Sequence, residues 1–317
     1  MPWLLAPRGT KRRRSRRSCR SGSTVTTVLD AVREFAPAKI NLFLHVGDKR
    51  ADGYHALESL VVFAAAGDVL TFAGADELSL SVDGPFSDAL SGDPDNLVTR
   101  AARALAAQTG TSKGARIALT KNLPVASGIG GGSADAAAAL RGLARLWDLT
   151  VKSDDLRKIG ETLGSDIPVC IDCATAWMEG RGEAVTPLSE MPPVPMVLVN
   201  PGVGVPTGKV FAALKERRGV GHSRPPLITN AAGLVAYLNT AANDLEAPAR
   251  TIAPVVGEVL DALANRPGAL LTRMSGSGAT CFSLFESADA AAGAAAILRR
   301  NQPGWWVADT TMAPRPV

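Results

Sequence analysis

Four glycines leading into an alanine-rich segment constrain this chain more than any other stretch. They lie in Pro124-Val125-Ala126-Ser127-Gly128-Ile129-Gly130-Gly131-Gly132-Ser133-Ala134, which continues to Leu140. Glycine opens backbone conformations closed to other residues and lets N–H groups approach a ligand closely, because no Cβ intervenes. The alanines are strong helix formers, so a helix is expected from Ser133 to about Trp147, its first turn capped by Ser133. A helix start adds unpaired N–H donors and the positive end of a dipole. Loop and helix start together predict a site for an anion, above all a phosphate. A tight turn needs only one glycine, and the entropic cost of four asks for a further reason.

The 317 residues are 46% hydrophobic and 20% charged, as in a globular chain with a substantial core. No stretch approaches the ~20 apolar residues of a membrane-spanning helix. The net charge of +4 is unevenly placed: residues 1–24 hold eight Arg or Lys and no acid, mostly in Lys11-Arg12-Arg13-Arg14-Ser15-Arg16-Arg17. The remainder has 26 basic against 30 acidic residues, so the body is mildly acidic and shows no nucleic-acid groove. The Gly/Ser/Arg head cannot bury a core, and residues 1–30 are expected to be a disordered basic leader. Residues upstream of the true start of translation, an organellar transit peptide, and a tail for nucleic acid or anionic lipid are the other readings of that composition. Cys19, Cys170, Cys173 and Cys281 are too sparse for a disulfide framework, which favours a cytoplasmic setting. Cys170-Ile171-Asp172-Cys173 has no second pair and no histidine at ligand spacing, so it reads as part of a buried strand over 167–173.

Strands are expected at 35–46, 57–63, 69–73, 78–82, 115–121, 196–200, 269–274, 281–285 and 306–310 from their alternation. Helices are expected from about 97 to 108, over 154–163 with Gly164 as the stop, over 207–215 and 288–299, and from 243. The proline-rich stretch 187–195 resembles an inter-domain connector. Met274-Ser275-Gly276-Ser277-Gly278-Ala279 is a second glycine turn. The pattern predicts an α+β protein of two lobes with glycine loops meeting at a cleft.

Which nucleotide architecture would such a loop serve? The P-loop pattern is absent; around Gly208-Lys209-Val210 the spacing is wrong and valine replaces the metal-binding hydroxyl. The dinucleotide fingerprint lacks its βαβ unit, and the protein-kinase motifs are missing. Three ordered blocks instead resemble the GHMP kinases, small-molecule kinases of galactose, homoserine, mevalonate and phosphomevalonate. The blocks are Ala36-Pro37-Ala38-Lys39-Ile40-Asn41-Leu42, residues 124–134 and residues 274–279. Within that superfamily, Arg50-Ala51-Asp52-Gly53-Tyr54-His55 and Gly164-Ser165-Asp166-Ile167-Pro168-Val169 resemble the branch that acts on a cytidyl diphosphate ester of methylerythritol. The likeness spans roughly residues 35–285.

The resemblance implies a two-lobed fold, with a ribosomal protein S5 domain 2-like lobe over 31–188 and a ferredoxin-like α/β lobe over 189–317. It implies ATP as phosphoryl donor and Mg²⁺ beside it, on a monomer or weak homodimer with no nucleic-acid or membrane partner. The ATP phosphates would be cradled by Pro124, Val125, Ala126, Ser127, Gly128, Ile129, Gly130, Gly131, Gly132, Ser133 and Ala134. Asn96 and Lys121 would meet the adenosine end, although Lys121 also reads as an ordinary solvated lysine. No carboxylate cage for the metal is visible; Ser133 reads equally as a ligand and as a helix cap, so the metal site stays unassigned.

Asp166 stands in a short polar island, and its residue type suits either a general base or a helix or turn cap. Lys39 lies among apolar neighbours, where an ammonium is costly without a partner; the alternative is an edge lysine reaching solvent. The resemblance pairs the two as catalytic groups, with Asp166 the base for the substrate hydroxyl and Lys39 steadying the charge. By the same resemblance Tyr54 and Phe211 would sandwich the cytosine, His55 would read its edge, and Asn41 and Thr207 would hydrogen-bond the substrate. Alone, Phe211 would read as core, and Asn41 and Thr207 as ordinary polar residues.

Overall fold

A computed structural model describes residues 31–90 and 95–313; the leader expected over 1–30 lies outside the described residues. The strand expected over 35–46 divides into β1 (Val32–Asn41) and β2 (His45–Lys49). Between them the Leu44 N–H donates to the Ala242 carbonyl and the Asp244 N–H to the Leu44 carbonyl, so the chain leaves one ladder to pin a distant loop. The two strands expected at 57–63 and 69–73 form one, β3 (His55–Ala75). The Ala64-Ala65-Ala66-Gly67-Asp68 run reads as a break, but its backbone stays in the sheet. Asp68 finds its partners across that sheet.

β4 (Leu78–Asp83) is followed by α1 (Leu97–Thr109), β5 (Gly114–Thr120) and α2 (Gly131–Leu146). β3 pairs antiparallel with β1, β2 and β5, and β4 joins β5 in parallel. α2 is buried on nearly every side by its alanines, with Leu140 and Leu143 in the same core as Phe63 and Phe72 of β3. Each such leucine stabilises the fold by about 1.5–3 kcal/mol through burial alone. α2 begins at Gly131 rather than at Ser133, and its cap position is Gly130, left-handed at φ 63° with no side chain to bond the first turn.

α3 (Ser153–Leu163) matches expectation, but 167–173 does not: α4 (Ile167–Asp172) replaces the expected strand. The segment is short and buried on all sides, so its apolar pattern has no period to read, while Pro168 in the first turn favours a helix. Cys170, Cys173 and Cys281 are free and buried, and the Cys173 Sγ donates to the Cys170 carbonyl at 3.1 Å. Burial raises the pKa of all three thiols, as suits packing rather than redox chemistry.

The expected sheet density is supplied instead by β6 (Ala176–Gly180) and β7 (Ala184–Pro187), a hairpin that pairs through β6 with β3. Then come β8 (Pro195–Asn200), α5 (Thr207–Ala212), α6 (Ala231–Leu238), α7 (Glu246–Ile252) and α8 (Val255–Ala264). The chain ends in β9 (Ala269–Met274), β10 (Cys281–Phe285), α9 (Ala288–Asn301) and β11 (Trp306–Ala313). β11 pairs with β8 along most of its length and with β3 at Met312 and Ala313, which joins the β4-β5-β3 part of the sheet to the β8-β10-β9 part.

The proline-rich stretch is packed rather than free. Met191 and Val194 are buried in a core that also holds Ile40, Leu60 and Trp177 from before the stretch and Leu198 and Phe282 from after it. From Ala31 onward the chain packs as one unit. No helix among the described residues is long and apolar enough to cross a membrane.

Candidate active site

Two loops rich in glycine meet through their backbones. Gly128 has φ 78°, and a Cβ there would fall 2.6 Å from the Ser275 carbonyl oxygen; a Cβ on Gly276 would fall 2.7 Å from that of Gly128. The Ser275 hydroxyl donates to the Gly128 carbonyl at 3.1 Å, and the Thr280 N–H to the Ser127 carbonyl at 3.0 Å. The second loop is held from behind by Asn243, whose side-chain amide donates to the carbonyls of Met274 and Gly276, both at 2.8 Å. Close backbone approach, more than turning, explains the glycines at 128 and 276.

The first loop is also tied to β1. The register of β1 on β3 slips between Pro37 and Lys39, and the Lys39 N–H donates to the Ile129 carbonyl at 2.9 Å instead of to the sheet. A bulge of this kind re-aims a side chain. The Lys39 stem runs beneath the loop, 3.2 Å from where a Gly130 Cβ would sit, and its ammonium lies 2.9 Å from Asp166 Oδ2. Lys39 is 4% exposed and Asp166 36%, so the cation is the buried floor and the carboxylate faces the opening. Asp166 occupies the cap position of α4 but its side chain makes no cap hydrogen bond. The carboxylate is thus not spent on capping, and the reading of Lys39 as a solvated edge lysine is excluded.

The opening is a cleft of about 650 Å³ lined by Lys39, Asp166, Gly128 and Gly130, and by Asn41, Tyr54, His55, Thr207 and Phe211. All seven side chains expected to catalyse or bind substrate therefore share one cavity. Asn41 donates to Ser59 Oγ at 2.7 Å, and its buried Oδ1 has no protein partner. His55 Nδ1 lies 3.1 Å from the Gly47 carbonyl, which can only accept, so Nδ1 carries the proton and Nε2 of the neutral ring accepts. Thr207 Oγ1 and Ser277 Oγ are 2.8 Å apart, which links α5 to the second glycine loop. The Phe211 ring lies nearly parallel to His55, centroids 5.6 Å apart, whereas the half-exposed Tyr54 ring lies under the Arg181 guanidinium at 5.4 Å.

A second cavity of about 330 Å³ adjoins the first across Ala126 and Gly130, and Asn96, Lys121, Val125, Gly131, Gly132 and Ser133 line it. The first turn of α2 offers its amides here, since helix-start N–H groups have no partner within the helix. Ser133 sits inside the turn rather than capping it. Asn96 caps α1, accepting from the Val98 N–H at 2.9 Å. Pro124, Ser127, Ile129 and Ala134 line neither cavity. The Ser127 hydroxyl donates to the Pro124 carbonyl at 2.6 Å, Ile129 is core, and the Ala134 N–H closes the first helical bond to Gly130.

Lys121 is 1% exposed, so the solvated alternative fails. Its ammonium lies 2.5 Å from Asp68 Oδ2 and 2.6 Å from Asp135 Oδ2. Asp68 Oδ1 accepts from the N–H groups of Asn122 at 2.6 Å and Leu123 at 2.8 Å, which fixes the approach to the glycine loop. Burial pushes the Asp135 carboxyl up to about 8, with Lys121 opposing the shift and Asp68 adding to it. Sequence reasoning assigned no role to Asp68, Asp135, Asn243 or Arg181. The signal available for the first was a carboxylate inside an apolar strand, which needs a buried cation.

Residues 96–178 match the signature described as GHMP kinases N terminal domain, and residues 227–304 that of GHMP kinases C terminal. The 4-diphosphocytidyl-2-C-methyl-D-erythritol kinase of Parvibaculum lavamentivorans is 51% identical over 279 residues, which is 87% of this chain and 96% of the relative. The chain belongs to this GHMP kinase family. The enzyme of that name from Paramagnetospirillum magneticum is 51% identical over 86% of this chain and 95% of its own. A crystal structure of 4-(cytidine 5'-diphospho)-2C-methyl-D-erythritol kinase, 33% identical, superposes with a TM-score of 0.71 over 89% of this chain and 99% of that one. As a GHMP kinase the chain uses ATP as phosphate donor.

Proposed function

We propose that this chain transfers the γ-phosphoryl group of ATP to the 2-hydroxyl of 4-diphosphocytidyl-2-C-methyl-D-erythritol, with Asp166 as general base and Lys39 as its cation. The observation that carries the reading is the Lys39–Asp166 contact of 2.9 Å beneath the glycine loop, in the cleft that also holds Tyr54, His55 and Phe211. Phosphoryl transfer asks the protein for positioning and charge stabilisation rather than covalent chemistry. Asp166 takes the hydroxyl proton as the oxygen attacks in line, and the bond to the β,γ-bridging oxygen breaks to release ADP. Lys39 offsets the charge on the carboxylate and on the developing alkoxide.

The nucleotide phosphates would lie along the α2 start, with Asn96 and Lys121 toward the adenosine end. Magnesium would be carried on those phosphates with its own waters. Among the described residues no group of three or more His, Cys, Asp and Glu side chains is placed to cage a metal. At the other end the cytosine would lie on the Tyr54 and Phe211 faces. The accepting Nε2 of His55 suits the cytosine amino group, and the unpartnered Asn41 Oδ1 suits a substrate hydroxyl. The acidic body and the absence of a long apolar helix among the described residues accord with a cytoplasmic enzyme of small molecules.

Removing one stacking face gives the test. Tyr54→Ala should raise the KM for the cytidyl substrate by about 5- to 150-fold, the equivalent of ~1–3 kcal/mol of base stacking. The KM for ATP should change little. Equal effects on both would remove the ring from base recognition.

A further inference from the structure

We infer that Arg181 receives the diphosphate of the cytidyl substrate and so sets the preference for a nucleoside diphosphate ester over other alcohols; this rests on the reading just proposed. A substrate with a base at one end and a reacting alcohol at the other carries two phosphates between them. Those charges need a cation in the middle of the cleft. Among the described residues two lysine or arginine side chains line it, Lys39 and Arg181. Lys39 is committed to Asp166 at 2.9 Å. Arg181 remains.

Its placement fits the task. Arg181 stands at the turn of the β6–β7 hairpin, between Gly180 and Gly182, at φ 74° and 115°. The Gly182 N–H donates to the Glu179 carbonyl at 3.1 Å, and the Arg181 N–H donates to the Glu183 carboxylate, so the turn is fixed by its own bonds. A Cβ on Gly182 would sit 3.6 Å from Asp166 Oδ1, which puts the Arg181 backbone beside the catalytic end. Its guanidinium lies 5.4 Å from the centroid of Tyr54, at the base end. The one residue therefore spans the interval that the diphosphate must cross.

The guanidinium is also available. It makes two long ion pairs, with Glu161 at 3.7 Å and Glu183 at 3.8 Å, both beyond hydrogen-bond range, and at 32% exposure its N–H donors can turn to a phosphate. Five N–H donors in a planar fork match phosphate oxygens two at a time. Holding the guanidinium against an aromatic face reduces the order it must gain on binding.

The test compares cytidine with cytidine diphosphate as ligands of this cleft, with the ATP site filled by a non-hydrolysable ATP analogue. The native protein should bind the diphosphate about 10- to 100-fold more tightly than cytidine, as charge-assisted hydrogen bonds require. In Arg181→Gln that advantage should fall to about threefold or less, while cytidine affinity stays within about threefold of native. Arg181→Lys, which keeps the charge without the fork, should fall between the two. A diphosphate advantage retained in Arg181→Gln, or absent from the native protein while cytidine binds, overturns the inference alone. Failure of both ligands to bind the native protein overturns it together with the cytidyl reading of the cleft.

Discussion

Asp166→Asn should lower kcat by roughly 100- to 10,000-fold, the range that a positioned general base supplies, and leave ATP affinity close to native. The substitution keeps the side chain's shape and removes its ability to accept the proton. Asp166 makes no cap hydrogen bond and is 36% exposed, so α4 does not depend on its charge. Lys39 is the group that feels the change, because its buried ammonium loses its carboxylate at 2.9 Å. ATP affinity by titration, beside single-turnover rates, separates the two effects. A variant that turns over at more than about a third of the native rate would remove Asp166 from proton transfer.

Lys121→Met should destabilise the fold by about 3–5 kcal/mol near pH 8, because removing one partner of a buried ion pair leaves uncompensated charge. Two carboxylates face the vacated position, Asp68 and Asp135, at 2.5 and 2.6 Å from the native ammonium. Toward pH 5 both proteins should gain stability by similar amounts, so the loss should stay nearly constant there and grow above pH 8. Asp135 has a folded-state pKa of about 8 against an ordinary 3.8, so between those values the folded protein binds the proton and the unfolded chain does not. Stability from this group is full below the unfolded value and falls as pH rises toward 8. Without Lys121, which opposes that shift, the carboxyl should hold its proton to still higher pH. Urea unfolding at pH 5 and pH 8 measures the difference. A loss below about 1 kcal/mol at both pH values would mean that the buried trio contributes nothing to the fold.

What the residues disclosed depended on whether the requirement was local. The glycine loop was legible because close backbone approach has a local signature, although Gly130 rather than Ser133 proved to be the cap. The ends of α1 and α3 followed from Asn96 and Gly164, which act within one turn. Lys39 was legible as a cation needing a partner, and the family resemblance supplied Asp166. α4 was misread because a short helix buried on all sides shows no alternation to separate it from a strand. α6 escaped for a related reason: Ala231–Leu238 is apolar throughout, and its one local signal is Asn230, which accepts from the Gly233 N–H. Asp68 and Lys121 could not be joined from sequence, since β3 and the turn after β5 meet only in the sheet. Arg181 was hidden because a charged residue between glycines reads as an exposed turn until the hairpin is seen to face the cleft.

If this cleft phosphorylates the alcohol of a cytidyl diphosphate ester, ADP release from ATP by the purified protein reads that activity without intermediary. The cytidyl substrate, mevalonate and homoserine are offered in parallel at equal concentration. One ADP is expected for each phosphorylated product with the cytidyl substrate, and only background release with the other two. Release driven as strongly by mevalonate or homoserine, or none driven by the cytidyl substrate, would contradict it.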